Sequence, residues 1–124
     1  MIKNTNYDLE ERTAVFSEIL IKLCKVCPKN SVTIPILDQL IRSGTSIGAN
    51  YLEANNASSK KDFTNKIFIC KKESEETKYW LKILLSCYSS EEKSINVLYD
   101  ECRQLNLIFQ KIIATIKNNK MANN

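Results

Sequence analysis

Residues 95–116 read INVLYDECRQLNLIFQKIIATI, and their reading decides the fold. Ile95, Leu98, Tyr99, Cys102, Leu105, Phe109, Ile112, Ile113 and Ile116 recur at spacings of three and four. That period lays apolar side chains along one face of an α-helix. So wide a stripe needs several neighbouring helices to cover it, and a three-helix or extended arrangement would leave too much of it in water. Ser89 with Glu92 forms a capping-box pattern that opens this helix, so it is expected over about residues 90–117, with the polar tail 118–124 frayed.

Three more helical periods lie upstream. Phe16, Ile19, Leu20, Leu23, Cys24 and Cys27 share a face of a helix over about 7–27, opened by an Asp8/Glu11 capping box and stopped at Pro28. A second helix, about 34–54, has Thr33 as its expected N-cap and Pro35 in its first turn, where a missing N–H does no harm. Leu37, Leu40, Ile41, Gly44, Ile47, Gly48, Tyr51 and Leu52 make up its inner face. A third helix, about 59–87, starts at a Ser59/Asp62 capping box, and Phe63, Ile67, Cys70, Ser74, Thr77, Leu81 and Leu84 run along it with coiled-coil-like 4-3 spacing. Helices of similar length joined by short breaks make antiparallel neighbours. The expectation is an all-α, up-down-up-down four-helix bundle, with residues 1–124 as a single domain.

Composition agrees and narrows the chemistry. Of 124 residues, 44% are hydrophobic and 26% charged, with two glycines, two prolines and no histidine. Two glycines are too few for the turns of a sandwich or barrel. Both fall inside the second helix, where each costs about 1 kcal/mol relative to alanine, so close approach of another helix is the expected compensation. The absence of histidine excludes a Ser-His-Asp triad, a Cys-His pair, a zinc-protease site and a di-iron Glu-x-x-His site.

The polar residues Arg42, Ser46, Asn50 and Glu53 line one side of the second helix, beside its apolar face. Glu73, Glu76 and Trp80 line one side of the third. Measuring both helices from their common end places Ser46 level with Glu76, and Asn50 level with Glu73, with Arg42 in reach of Glu76. One reading is a structural network fixing helix register or subunit orientation. The other is a carboxylate site, in which Glu53, Glu73 and Glu76 hold Mg²⁺ or Mn²⁺ or act in acid/base chemistry. The lack of histidine and the nearness of Arg42 favour the first, so no catalytic residue, metal or cofactor is assigned.

Five cysteines stand at 24, 27, 70, 87 and 102. Cys24-x-x-Cys27 looks like a redox or zinc half-site, but it lies at a helix C-terminus, where the dipole disfavours a thiolate. Cys87 falls at the same bundle end without a fourth ligand, so packing as small apolar residues is the expectation. With a polar N-terminus and no apolar run approaching ~18 residues, the chain reads as cytoplasmic, with reduced thiols and no membrane span.

Net charge is +4, and residues 59–88 hold seven lysines against four acids. Lys71, Lys78 and Lys82 share an exposed face, with Lys60 and Lys61 at its start. The ordinary reading is a solvated surface. The functional reading is a phosphate-binding one, multiplied if several copies assemble. Trp80, Tyr79 and Tyr51 cannot all fit the internal seam, and a subunit interface is an economical place for the remainder.

Two segments, RSGTSIGANYLEANNASSKKDF (42–63) and ESEETKYWL (73–81), resemble the four helix bundle protein family, also called the rRNA intervening-sequence proteins. Accessory variability proteins of diversity-generating retroelements are its relatives. Arg42, Ser46-Ile47, Ala49-Asn50, Glu53, Glu76-Thr77 and Leu81 carry the match. The chain departs at Gly48 and Ala54, where many members have Pro and Gly, so the end of the second helix is expected to differ. The resemblance implies a four-helix bundle assembling as a ring-like homopentamer, and nucleic acid, RNA or DNA, as a partner class. The sequence reading is therefore a non-enzymatic homo-oligomer that binds nucleic-acid backbone, with a protein-interaction scaffold and a carboxylate enzyme as rivals.

Overall fold

The computed structural model describes the backbone of residues 5–122 and the side chains of residues 9–121. Four α-helices follow one another: α1 (Thr5–Val26), α2 (Thr33–Asn55), α3 (Lys60–Cys87) and α4 (Glu92–Ala122). Each consecutive pair packs together, and α1 also meets α4 to close the bundle. The all-α four-helix architecture is the one the periodicities imply.

Helix ends show where local signals hold. Ser59 caps α3, its hydroxyl accepting from the Asp62 N–H at 3.0 Å. Thr33 does not cap α2. It is the first helical residue, and its hydroxyl donates back to the Pro28 carbonyl at 2.5 Å. The Asn30 carboxamide oxygen caps instead, accepting from the Val32 and Thr33 N–H groups at 2.9 Å each. Asp8 is not an N-cap either: α1 already begins at Thr5, and the Asp8 side chain lies outside the described residues. At α4 the Glu92 N–H donates to the Ser89 carbonyl, at 3.1 Å. The helix then runs to Ala122, past the expected stop at 117. Nothing in 117–122 breaks it, since neither Gly nor Pro occurs there and propagation from a formed helix is cheap. With Ala54 rather than glycine near its end, α2 finishes without a left-handed residue, since no positive φ occurs among the described residues. The Asn56 and Ala57 N–H groups close tight turns onto the Glu53 and Ala54 carbonyls, and the Asn56 side chain caps the Leu52 carbonyl at 2.8 Å.

The core holds Leu9, Phe16, Leu20, Leu23, Leu40, Ile47, Tyr51, Ile67, Leu81, Leu84, Ile95, Leu98, Leu105 and Phe109, each nearly or fully buried. Both glycines serve the expected close approach, and α1 is the helix that comes near. A methyl on Gly44 would overlap Leu20 Cδ2, and one on Gly48 would lie 3.0 Å from Thr13 Oγ1. Ile19, Ile41 and Leu52 depart from expectation, being exposed rather than inward. They stand at the margins of their stripes, and the thin α1–α4 seam leaves the Ile19 flank uncovered.

Polar pairs complete the interior. The buried Thr77 hydroxyl donates to Ser43 Oγ at 3.0 Å, and Asn106 Nδ2 donates to Ser74 Oγ at 2.8 Å. These short bonds fix the registers of α2 on α3 and of α3 on α4. Among the described residues no buried side-chain nitrogen or oxygen lacks a partner, as a stable core requires.

Candidate functional site

The α2–α3 groove holds a charged constellation. Arg42 projects from the outer edge of α2 across to α3. Its Nη1 donates to Glu73 Oε2 at 2.9 Å, its Nη2 to Glu76 Oε2, and its Nε to Gln39 Oε1 at 3.0 Å. The Trp80 indole N–H donates to the same Glu76 oxygen at 3.0 Å. Glu73 is 5% exposed, so its carboxylate depends on the guanidinium for its charge balance. The Trp80 bond holds the Glu76 carboxyl below the usual range; burial opposes it, and the Arg42 hydrogen bond and charge reinforce it. On Arg42 burial works against the charge, but the bonds and charges of Glu76 and Glu73 prevail and its pKa lies above the ordinary value.

The remaining members of the polar line sit apart from this cluster. Asn50 Nδ2 bonds Ser46 Oγ at 2.9 Å and the Ser46 carbonyl at 2.8 Å, one turn earlier on its own helix. Glu53 pairs with Lys66 at 2.8 Å. The register differs from the one reckoned from a common helix end. Ser43 meets Thr77, and the Ile47 carbonyl accepts from Cys70 Sγ at 3.5 Å, so Glu73 lies nearer Ser43 than Asn50. As a result Glu53, Glu73 and Glu76 do not converge, and a guanidinium already occupies the space between the latter two. Among the described residues no three His, Cys, Asp or Glu gather as a metal ion would need.

Four of the five cysteines follow packing, and Cys87 departs from that expectation. Cys24, Cys27, Cys70 and Cys102 are buried and Cys87 is exposed. Burial, with Cys27 beside it, pushes the Cys24 thiol up to about 11 despite Lys29 nearby. Burial also raises Cys27, and pushes Cys70 and Cys102 to about 12. A feature the sequence reading missed sits here: Lys29 Nζ caps the end of α1, donating to the carbonyls of Cys24, Lys25 and Cys27 at 2.7–2.9 Å. A lysine just past a helix end is its local signal.

The lysines of α3 divide by partner. Lys71 pairs with Glu75 at 3.3 Å, and Lys82 lies over the Tyr99 ring, 5.8 Å from its centroid. Lys78 is half-buried against α4, while Lys60, Lys61, Lys72 and Lys82 are exposed. Among the described residues no carboxylate lies within ion-pair distance, 4.0 Å, of Lys60, Lys61, Lys72, Lys78 or Lys82. Glu73 and Glu76, which would offset them, are turned toward Arg42. Lys72 and Lys117 were not singled out from the sequence; Lys117 reaches from α4 to sit 5.9 Å from the centroid of Phe68.

The family model described as 23S rRNA-intervening sequence protein matches residues 5–111. No curated protein gives a significant match. Among solved structures, a crystal structure of a protein of unknown function from the S23 ribosomal protein family of Bacteroides thetaiotaomicron VPI-5482 is similar. It is 30% identical with a TM-score of 0.80, over 88% of this chain and 97% of that one.

Proposed function

Since this chain belongs to the 23S rRNA-intervening sequence protein family, we propose that it is a non-enzymatic, self-associating helical protein that binds nucleic-acid backbone through α3. One observation carries the reading: three of the four acids of α3 are engaged in ion pairs, Asp62 being the exception among the described residues, while five of its seven lysines have no ion-pair partner there. Glu73 and Glu76 neutralise Arg42, and Glu75 meets Lys71, so Lys60, Lys61, Lys72, Lys78 and Lys82 present uncompensated charge along one helix. Phosphates met by such a row release counterions, which makes binding salt-dependent and weakly selective for sequence. The carboxylates that an acid/base or metal mechanism would use are tied to cations, which supports a binding role over a catalytic one.

Self-association, as a homopentamer by family resemblance, multiplies that surface. It draws support from the α1–α4 cleft, where Val15, Ile19 and Val97 are 44%, 44% and 65% exposed beside Phe16 and Leu98. Apolar side chains lining a cleft are the material of a subunit contact. Light scattering is expected to give a mass near five times 14.2 kDa, and a monomer would end the assembly reading. For the binding reading, fluorescence anisotropy with a labelled RNA should show complex formation at low salt that weakens steeply as salt rises. No binding at low salt would end it.

A further inference from the structure

The nucleic-acid reading treats α3 as a row of charges, but its outermost face also carries aromatic rings. Lys61, Phe68, Lys72 and Tyr79 are separated by seven, four and seven residues, so they stay within a narrow stripe of the helix surface. Phe68 is 43% exposed and Tyr79 is 55% exposed. Lys61 and Lys72 are exposed with no carboxylate in ion-pair reach among the described residues. Lys72 feels the charge of Glu76 one turn on, and that carboxylate already serves Arg42. Glu75, which shares the face, is engaged by Lys71.

The rings are held rather than free. Tyr79 stands edge-on to Trp80, with centroids 5.0 Å apart and planes at 77°. Trp80 is fixed by its bond to Glu76, Glu76 by Arg42, and Arg42 by the buried Glu73. Phe68 carries the exposed Lys117 over its ring, a long side chain that a stacking base can displace toward its own phosphate. Phe68 and Tyr79 lie about 16 Å apart along the axis, too far to share one base, with Lys72 between them. Exposed aromatics alternating with unpaired lysines are the chemistry of a single-strand platform, where bases stack and phosphates meet cations. A duplex, whose bases are already stacked and shielded, can use only the lysines.

The geometry points to a single-stranded nucleic acid as the ligand of this face, its bases stacking on Phe68 and Tyr79 and its phosphates meeting Lys61 and Lys72. This rests on the nucleic-acid reading above. The test measures affinity for a labelled single-stranded RNA and for the duplex made by annealing its complement, with the wild type and with Phe68→Leu, Tyr79→Leu and Tyr79→Phe. Both rings are exposed, so the variants should keep the wild-type circular dichroism. The wild type is expected to prefer the single strand. Each leucine variant is expected to weaken single-strand binding about five-fold or more, leaving the duplex and the salt slope unchanged, since no charge is lost. Tyr79→Phe should retain wild-type affinity. Equal or tighter duplex binding, or leucine variants that bind the single strand as wild type does, would overturn the single-strand platform while sparing the charge-based reading. Absence of all binding would overturn both.

Discussion

Replacing Gly44 by alanine tests the packing on which the bundle turns. In an unhindered helix interior the change should stabilise by about 1 kcal/mol, through propensity alone. Here the new methyl overlaps Leu20 Cδ2, with Leu20 Cγ at 3.6 Å and Phe16 Cε2 at 3.7 Å hemming it in. Leu20 is 0% exposed, so its methyl has no solvent to swing into and must find another rotamer inside a packed core. Overpacking of this kind costs roughly 1–3 kcal/mol. Subtracting the propensity gain leaves a net loss of about 1 kcal/mol, or roughly 4 °C in Tm for a chain of this size. The same substitution in a Leu20→Ala background should become stabilising, because the methyl then fills part of the cavity. Urea unfolding of the four proteins in that double-mutant cycle gives the coupling. If Gly44→Ala alone stabilises by the full helix-propensity value, α1 does not lie against Gly44 and the proposed role of the glycines is wrong.

The remaining predictions concern charge and thiols. Because the Glu76 carboxyl sits below its ordinary value of 4.5, its contribution to stability is fully present above that pH and is lost as pH falls through the lowered folded value. Glu76→Gln should therefore flatten the acid limb of stability against pH, with Trp80 fluorescence reporting the change; an unaltered limb would refute the pairing. In the native protein a thiol reagent should modify Cys87 rapidly and the other four cysteines only on unfolding, since those four are buried with raised pKa values. Mass spectrometry showing several fast-reacting thiols would contradict that placement.

Local signals and tertiary contacts are legible in this sequence to different degrees. Local periodicity placed all four helices, the Ser59 cap and the inward face of α4, since each of these depends on residues within a few turns. It misplaced Ile19, Ile41 and Leu52, because the width of a buried stripe is set by how closely neighbouring helices approach, and α1 meets α4 only thinly. Buried Ser43, Thr13 and Asn106 were invisible as core residues. Ser43 and Asn106 find their partners, Thr77 and Ser74, on other helices, and Thr13 bonds the Leu9 carbonyl on its own. The polar line was legible as a set but not as a network. Arg42, Glu73, Glu76 and Trp80 meet, and the expected reach of Arg42 to Glu76 is present, whereas Ser46 and Asn50 pair with each other and Glu53 with Lys66, since a register shift of about a turn moves short side chains off their partners but leaves a long arginine in reach. The lysine row was visible in the sequence; that Phe68 and Tyr79 share its outer face became apparent once the burial of the opposite face was known.

The account's central claim, that α3 lysines meet phosphates, is tested most directly by the salt dependence of RNA affinity in the wild type and in Lys61→Gln/Lys72→Gln. Each phosphate contact contributes close to one unit to the slope of log K against log salt, about 0.7 for single strands. The double variant should bind more weakly and lose about 1.4 units of slope. A slope identical to that of the wild type would contradict the claim, whatever the affinity.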